Sequence, residues 1–426
     1  MVDRRPQDYA GGEPDGVSDN TAAIQAAIDA WQPGDQVVIS GGTFRTSGPL
    51  FIPHAGLVLR GDAKIKALTG FATDTAILEI TGAGVILDTD GLEFDQADVI
   101  EVGTSIRTVG AAGLQVLNLV SRGTQRAFLC IEDNTTDLLV AGCDHLGKGY
   151  GVIAPDRPGL ARLRFSDCRF EHPGTGTAGD GIELNCRTFG ASDVEVVGCT
   201  ASGYIGEATA QGIGFGFSGV TDGRIVGCRA EACEGDGFHF ERSAHRWLCA
   251  DLVALDIGVY PHVGGNGSGL IAYDSDDITV VLMNARNCAY HGIALSGQGS
   301  SSQRSGCLIE CCTVDTTRRD GIHLTAQRNF RIDRNHVRDP SHGNPGVYAG
   351  INVGQQGGTT LENEDGTGVG NVVVLSGATS PLGQVVVRST SVNVTIDGVS
   401  GLDIRVTEDG GERVTEAGER RVLEAA

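Results

Sequence analysis

The sequence predicts an all-β chain built as a solenoid of strands, and three observations carry that expectation. First, one short phrase recurs: a polar or small residue, then Gly, apolar, any, apolar. It appears as Tyr150-Gly-Val-Ile-Ala154, Asp180-Gly-Ile-Glu-Leu184, Gln211-Gly-Ile-Gly-Phe215, Asp236-Gly-Phe-His-Phe240, Ser268-Gly-Leu-Ile-Ala272, His291-Gly-Ile-Ala-Leu295, Asp320-Gly-Ile-His-Leu324 and Ala349-Gly-Ile-Asn-Val353. The eight copies are spaced 30, 31, 25, 32, 23, 29 and 29 residues apart, and such a period marks coils that stack on one another. Second, apolar residues alternate within each copy, which is the pattern of a strand. Third, Gly supplies 64 of 426 residues, about twice its usual share and without a collagen triplet, so the chain turns often.

Taken in order, residues 1–36 read as a polar lead and a capping helix. In Asp15-Gly-Val-Ser-Asp-Asn-Thr-Ala-Ala-Ile-Gln-Ala-Ala-Ile-Asp-Ala30, a turn leads to an N-cap at Ser18 or Asp19. Ile24, Ala27, Ile28 and Trp31 then share one helix face, and Pro33-Gly34 ends it. A helix with one apolar stripe ahead of a solenoid covers the first coil, whose core would otherwise face water. Residues 37–353 are the coils, residues 354–368 a linker rich in Gln, Gly, Thr, Asn and Glu, and residues 369–404 a small C-terminal β region. The tail 405–426 repeats Arg-Val-Thr-Glu at period eight.

The run Asp15 to Ala30, with Gly41-Gly-Thr-Phe-Arg-Thr-Ser-Gly-Pro-Leu-Phe-Ile-Pro53 and Gly56-Leu-Val-Leu-Arg-Gly61, resembles the opening of pectate-lyase-like proteins. That resemblance implies a right-handed parallel β-helix, an architecture shared by polygalacturonase-type hydrolases, alginate epimerases and bacteriophage tailspikes. It identifies architecture far better than chemistry. The octad tail likewise resembles terminal segments of phage structural proteins; a flexible charged tail is the plainer reading. Alginate C5-epimerases carry Tyr-Gly-Phe-Asp-Pro-His on the helix face, and the nearest match, Tyr150-Gly-Val-Ile-Ala-Pro155, has Ile153 in place of the acid and no His.

In a parallel β-helix, equivalent residues of successive coils lie about 4.8 Å apart and alternate residues point outward. The first outward column then reads Ile153, Glu183, Gly214, His239, Ile271, Ala294, His323 and Asn352. The second reads Pro155, Asn185, Gly216, Glu241, Tyr273, Ser296, Thr325 and Gly354, and an edge column before each Gly holds Asp180, Asp236, His291 and Asp320. Asp180, Glu183 and Asn185 would stand on one coil and Asp236, His239 and Glu241 two coils on, roughly 10 Å away. The coil between, Gly212-Ile-Gly-Phe-Gly-Phe217, would offer only Gly214 and Gly216 and so floor a trough. A carboxyl pair roughly 6.5–9.5 Å apart suits an inverting glycosidase, in which one acts as acid and the other activates water.

Glu183 and Glu241 are therefore the candidate catalytic pair, with Asp180 and Asp236 as alternates and His239 as orienter or proton partner. Asn185, Gly214, Gly216, Tyr273, His291, Asp320 and His323 are the candidate substrate-binding residues. The plainer alternative is that Asp before Gly is ordinary turn chemistry and that Glu and His on a solvated face need no ligand. For His291, Asp320 and His323, with His336 and His342 beyond, a cation site or acid–base pair competes with surface histidines on a repeat; the spacing fits no named metal motif. No cofactor is called for. Asp274-Ser-Asp-Asp277 and Asp88-Thr-Asp90 have the carboxylate density for Ca²⁺ but miss the full loop pattern and are expected to be turns.

The charge of −22 repels nucleic acid and anionic membranes, and no apolar run approaches the length of a membrane span. Met1-Val-Asp-Arg-Arg-Pro6 is no secretory signal, so synthesis in a cytoplasm is expected. Cys143, Cys168, Cys199, Cys228 and Cys312 fall at one place in the coil and read as a stacked ladder of small buried residues rather than disulfides. Together with the resemblance, these features lead to an expected tailspike-like, receptor-binding homotrimer of a virion tail. It would contact other tail proteins and recognise, with hydrolysis as a further step, a cell-surface polysaccharide. A bacterial extracellular β-helix lyase or epimerase, with Arg187 or Arg242 as base, and a non-catalytic virion spike are the alternatives.

Overall fold

A computed structural model describes residues 2–71, 75–97, 103–174, 178–206, 212–259, 267–297, 304–342, 348–354, 366–374, 385–388, 395–397, 404–408 and 411–415. The fold is an all-β right-handed parallel β-helix. The chain divides into two compact units, residues 1–212 and 213–426. In each, the chain lays one strand into each of three sheets per turn, so most hydrogen-bonded neighbours are three strands apart in sequence; in the second unit Arg304–Ser305 and Gln327–Arg328 form a separate pair.

In the first unit, the first sheet runs from Asp3–Arg4 to Ala191–Val197, the second from Asp15–Asp19 to Thr200–Ser202, and the third from Leu50–Ile52 to Ile182–Asn185. Alternation buries one face of the strand Ile182–Asn185. Ile182 and Leu184 are inside, while Glu183 and Asn185 between them face outward and are half-buried. The capping helix spans Thr21–Asp29 and buries Ala23, Ile24, Ala27 and Ile28, with Trp31 just beyond. Its N-cap is Asn20 rather than Ser18 or Asp19, because Asp15–Asp19 pairs as a strand with Thr43–Thr46. Asp19 still serves the helix start, accepting the Thr21 N–H at 3.0 Å and its hydroxyl at 2.6 Å. The Gln25 amide closes the edge of the third sheet: its Nε2 donates to the Phe51 carbonyl at 3.0 Å and its Oε1 accepts the Phe51 N–H at 2.9 Å. An otherwise open strand edge is thereby satisfied.

In the second unit the third sheet begins at Phe215–Ser218 and the first at Val220–Val226. Thr367–Val369 and Val372–Val374 pair parallel with Arg331–Asp333 and His336–Arg338, and Val385–Arg388 pairs with Ile351–Val353. The described strands between 366 and 408 therefore extend the same three ladders. Within the octad tail, Ile404–Glu408 joins the third sheet and folds back antiparallel on Gly411–Thr415, setting Arg405 opposite Val414. Residues 416–426 lie outside the described residues.

The cysteines form no disulfide, and Cys143, Cys168, Cys199, Cys228 and Cys312 are buried, as the stacked-ladder reading requires. Farther along the second unit the same column changes to amides: Cys312 N–H donates to Asn335 Oδ1 at 2.9 Å, and Asn335 Nδ2 donates to Asn371 Oδ1 at 3.1 Å. Asn335 Nδ2 reaches the Ile309 carbonyl at 3.0 Å as Cys312 Sγ reaches the Val280 carbonyl at 3.7 Å, and the amide oxygen adds an acceptor for a turn N–H.

Candidate active site

The largest departure from the sequence columns falls on the glycine-rich coil. Phe215 pairs with Phe238, Gly216 with His239, Phe217 with Phe240 and Ser218 with Glu241. Gly214 therefore aligns with Gly237 in the inward glycine column, where a Cβ would meet the Gly237 carbonyl at 2.6 Å. It is not an outward floor residue, and the second outward position is Ser218 rather than Gly216. A run of Gly-apolar dipeptides fits the repeat equally well two residues earlier or later. Burial of Phe215 against Phe238, with centroids 5.3 Å apart, and Phe217 against Phe240, at 5.4 Å, selects one register. The coil is thus not stripped of outward side chains: it contributes one glycine and one serine.

In the second unit, His239 sits between two carboxylates. Its Nδ1 lies 2.8 Å from Asp236 Oδ2 and its Nε2 3.8 Å from Glu241 Oε2. Burial alone would lower the imidazole pKa, but the hydrogen bonds to Asp236 and Glu241 and their charges outweigh it and raise the pKa to about 9. The ring is therefore a cation at neutral pH. Asp236 is fully buried, and its other oxygen accepts the Ser268 N–H at 2.8 Å. Buried and bonded on both oxygens, it serves to orient His239. Glu241 is half-buried: Oε1 accepts the Ser218 hydroxyl at 2.8 Å, and Oε2 lies 3.9 Å from Arg242 Nε. Tyr273 follows Glu241 in the second outward column, its ring 5.8 Å from His239. Burial, with the Asp236 charge second, pushes its hydroxyl pKa up, so it stays a neutral donor.

Three strand steps along the first outward column, at about 4.8 Å each, the arrangement repeats. Asp320 Oδ2 lies 2.8 Å from His323 Nδ1, and Asp320 Oδ1 accepts the Ala349 N–H at 2.7 Å. His291 stacks on His323 with centroids 4.6 Å apart, its Nδ1 3.8 Å from the same carboxylate oxygen. All three residues are buried, which removes the surface-histidine reading. Burial would raise the Asp320 carboxyl, but the His323 hydrogen bond and the two histidines hold it below its ordinary value. Burial, then the charge on His323, lowers His291 to about 3. Tyr290 meets His291 edge-on at 4.6 Å and carries the Arg319 guanidinium 3.4 Å above its ring. His336 and His342 are exposed and do not join this group; His336 belongs to the second sheet.

The two centres share the sequence Asp-Gly-apolar-His-apolar. Its Gly is required because a Cβ on Gly237 or Gly321 would lie 2.7 Å from the carbonyl of the next coil. The Asp can then turn inward and meet the His three residues on. Both copies stand in the sequence, as does Asn352 in the first outward column; Ser218, Tyr290 and Arg319 lie outside the repeated phrase and carry no such signal.

In the first unit, Asp180, Glu183 and Asn185 do come together. Asn185 Nδ2 donates to Glu183 Oε1 at 3.4 Å, and the Tyr150 hydroxyl bonds Glu183. Burial, followed by the charges of Glu183 and Asp180, raises the Tyr150 pKa. Glu183 belongs to the first unit and Glu241 to the second. The two acidic turns carry arginine partners: Arg304 lies 3.4 Å from Asp276 and 3.7 Å from Asp274, and Arg60 lies 3.1 Å from Asp88.

Residues 7–102 match the family described as rhamnogalacturonase A/epimerase, pectate lyase-like, and residues 264–405 match the right-handed beta helix region. The fold is that of the pectate-lyase-like β-helices. The A-module of the Azotobacter vinelandii mannuronan C-5 epimerase AlgE6 is 16% identical, with a TM-score of 0.54 over 95% of this chain and 96% of its own. Bacteriophage CBA120 tailspike protein 3 is 12% identical, with a TM-score of 0.59 over 93% of this β-helix chain and 61% of the tailspike chain. The Yersinia enterocolitica family 28 exopolygalacturonase is 12% identical, with a TM-score of 0.50 over 93% and 78%. At these identities the likeness is one of fold. No curated protein matches the chain. Among the described residues, no helix is long and apolar enough to cross a membrane.

Proposed function

We propose that this chain is a tailspike-like β-helix that recognises a cell-surface polysaccharide on the third-sheet face of its second unit and hydrolyses it with Glu241. One observation carries the reading. A partly exposed carboxylate is held by Ser218 on one oxygen and faces a protonated His239 on the other, while Asp236 fixes that imidazolium from within the core. A carboxylate beside a positioned cationic donor can exchange a proton with a glycosidic oxygen or a water, the elementary act of glycoside cleavage. Gly216 in the neighbouring outward position adds no side chain beside His239, and Tyr273 offers a ring and a hydroxyl beside Glu241. The tailspike, epimerase and exopolygalacturonase neighbours support a glycan as ligand. A homotrimer in a virion tail is the assembly this reading carries.

The test is release of reducing ends from host capsule or lipopolysaccharide by purified protein. Glu241→Gln should lower release at least a hundredfold while glycan binding survives, and Glu183→Gln is the parallel variant for the first unit. Unchanged release by E241Q removes Glu241 from the mechanism. Glycan bound but returned intact by the wild type overturns hydrolysis and leaves a binding spike.

A further inference from the structure

We propose that His291, Asp320 and His323 form a binding site for a first-row divalent transition metal, with Zn²⁺ as the reference ion. Donor atoms of the three side chains all lie within 4.8 Å of one another. Asp320 Oδ2 is the hub, 2.8 Å from His323 Nδ1 and 3.8 Å from His291 Nδ1. Two donors on one ion at bond lengths of about 2.1 Å stand roughly 3 to 3.5 Å apart, so ring rotations that carry the widest pair of donors about 1 to 2 Å closer bring the set onto a metal.

A second, independent observation points to a ligand. His291 Nδ1 is buried, 2% exposed as a residue, and has no hydrogen-bond partner. The same holds for Asn352 Oδ1, on the next strand of the column, whose Nδ2 donates to Asp320 Oδ2 at 3.0 Å. A buried polar atom left unpaired is destabilising, and two such atoms around one carboxylate are accounted for together by a cation. Two imidazoles and one carboxylate select Zn²⁺ and its first-row neighbours over Ca²⁺ and Mg²⁺, which take oxygen donors. The fold has prepared the set. Asp320 is held by the Ala349 N–H, and His291 by its stack on His323 and by Tyr290 at its edge. The neighbouring cation, Arg319, lies flat on the Tyr290 ring. The site stands three strand steps from His239, so it is separate from the carboxylate chemistry proposed above.

The full chain, stripped with a chelator and dialysed, is titrated with Zn²⁺ by calorimetry and with Co²⁺ by absorption. The expected result is one ion per chain, with Co²⁺ showing ligand-field bands and no thiolate charge-transfer band. That last feature matters because the chain holds twelve cysteines, which favour the same metals. His291→Ala and His323→Ala should each weaken Zn²⁺ binding at least tenfold. Because Asp320 is buried, Asp320→Asn is read alongside circular dichroism, and the histidine variants decide the matter if it does not fold. Failure of the wild type to bind, a thiolate band, or affinity unchanged in both histidine variants overturns the site.

Discussion

Replacing Asp236 with Asn tests the electrostatics of the proposed active site most directly. The amide oxygen still accepts the Ser268 N–H and the shape is kept, but the negative charge 2.8 Å from His239 Nδ1 is gone. Burial, the largest influence on this imidazole, then acts against Glu241 alone, and the pKa falls from about 9 to near or below its ordinary 6.5. At about 1.36 kcal/mol for each pKa step of one, the wild-type value corresponds to on the order of 3 kcal/mol of stability. Because the folded pKa lies above the unfolded one, this contribution is complete below pH 6.5, declines as pH rises, and is lost above pH 9. Proton NMR of the ten histidines across pH 5 to 10, with the His239 resonance assigned, should show that ring titrating near 9 in the wild type and losing this high titration in D236N. Amide exchange of the Phe238–Glu241 strand should quicken with pH in the wild type beyond intrinsic chemistry and should not in the variant. A wild type in which no histidine titrates above pH 8, or a D236N variant that keeps the high value, refutes the reasoning.

Phe217→Ala should cost about 3–5 kcal/mol of local stability in the second unit, because the ring is buried, stacks on Phe240 and lies 4.4 Å from Trp247. Denaturant-dependent amide exchange measures it, and a loss under about 1 kcal/mol contradicts the register assigned to the glycine-rich coil. His145, buried in the first unit, has its pKa lowered to about 3 by burial and then by the charge of His172. Its folded pKa lies below the unfolded one, so stability is present above pH 6.5 and lost as pH falls toward 3. Acid unfolding followed by tryptophan-independent far-ultraviolet dichroism should shift to lower pH in His145→Gln, and an unchanged midpoint removes His145 as a cause.

The sequence alone determined the coil, the inward and outward alternation, the cysteine column and the stripe of the capping helix, because each depends on a short-range period that a solenoid repeats. It also placed Asp236 beside His239 and Asp320 beside His323, residues that share a strand and its edge. Tertiary structure decided what a local period leaves open. Gly212 to Phe217 fits the repeat in more than one register, and only the stacking of phenylalanines on the following coil fixed it, replacing Gly216 with Ser218 opposite Glu241. Likewise an Asp before a Gly looks the same in sequence whether it is a solvated turn or a buried anion. Asp320 becomes the second because His323 on its own coil is joined by His291 from the preceding coil and by Asn352 and the Ala349 N–H from the following one, and such convergence exists only once the coils are stacked.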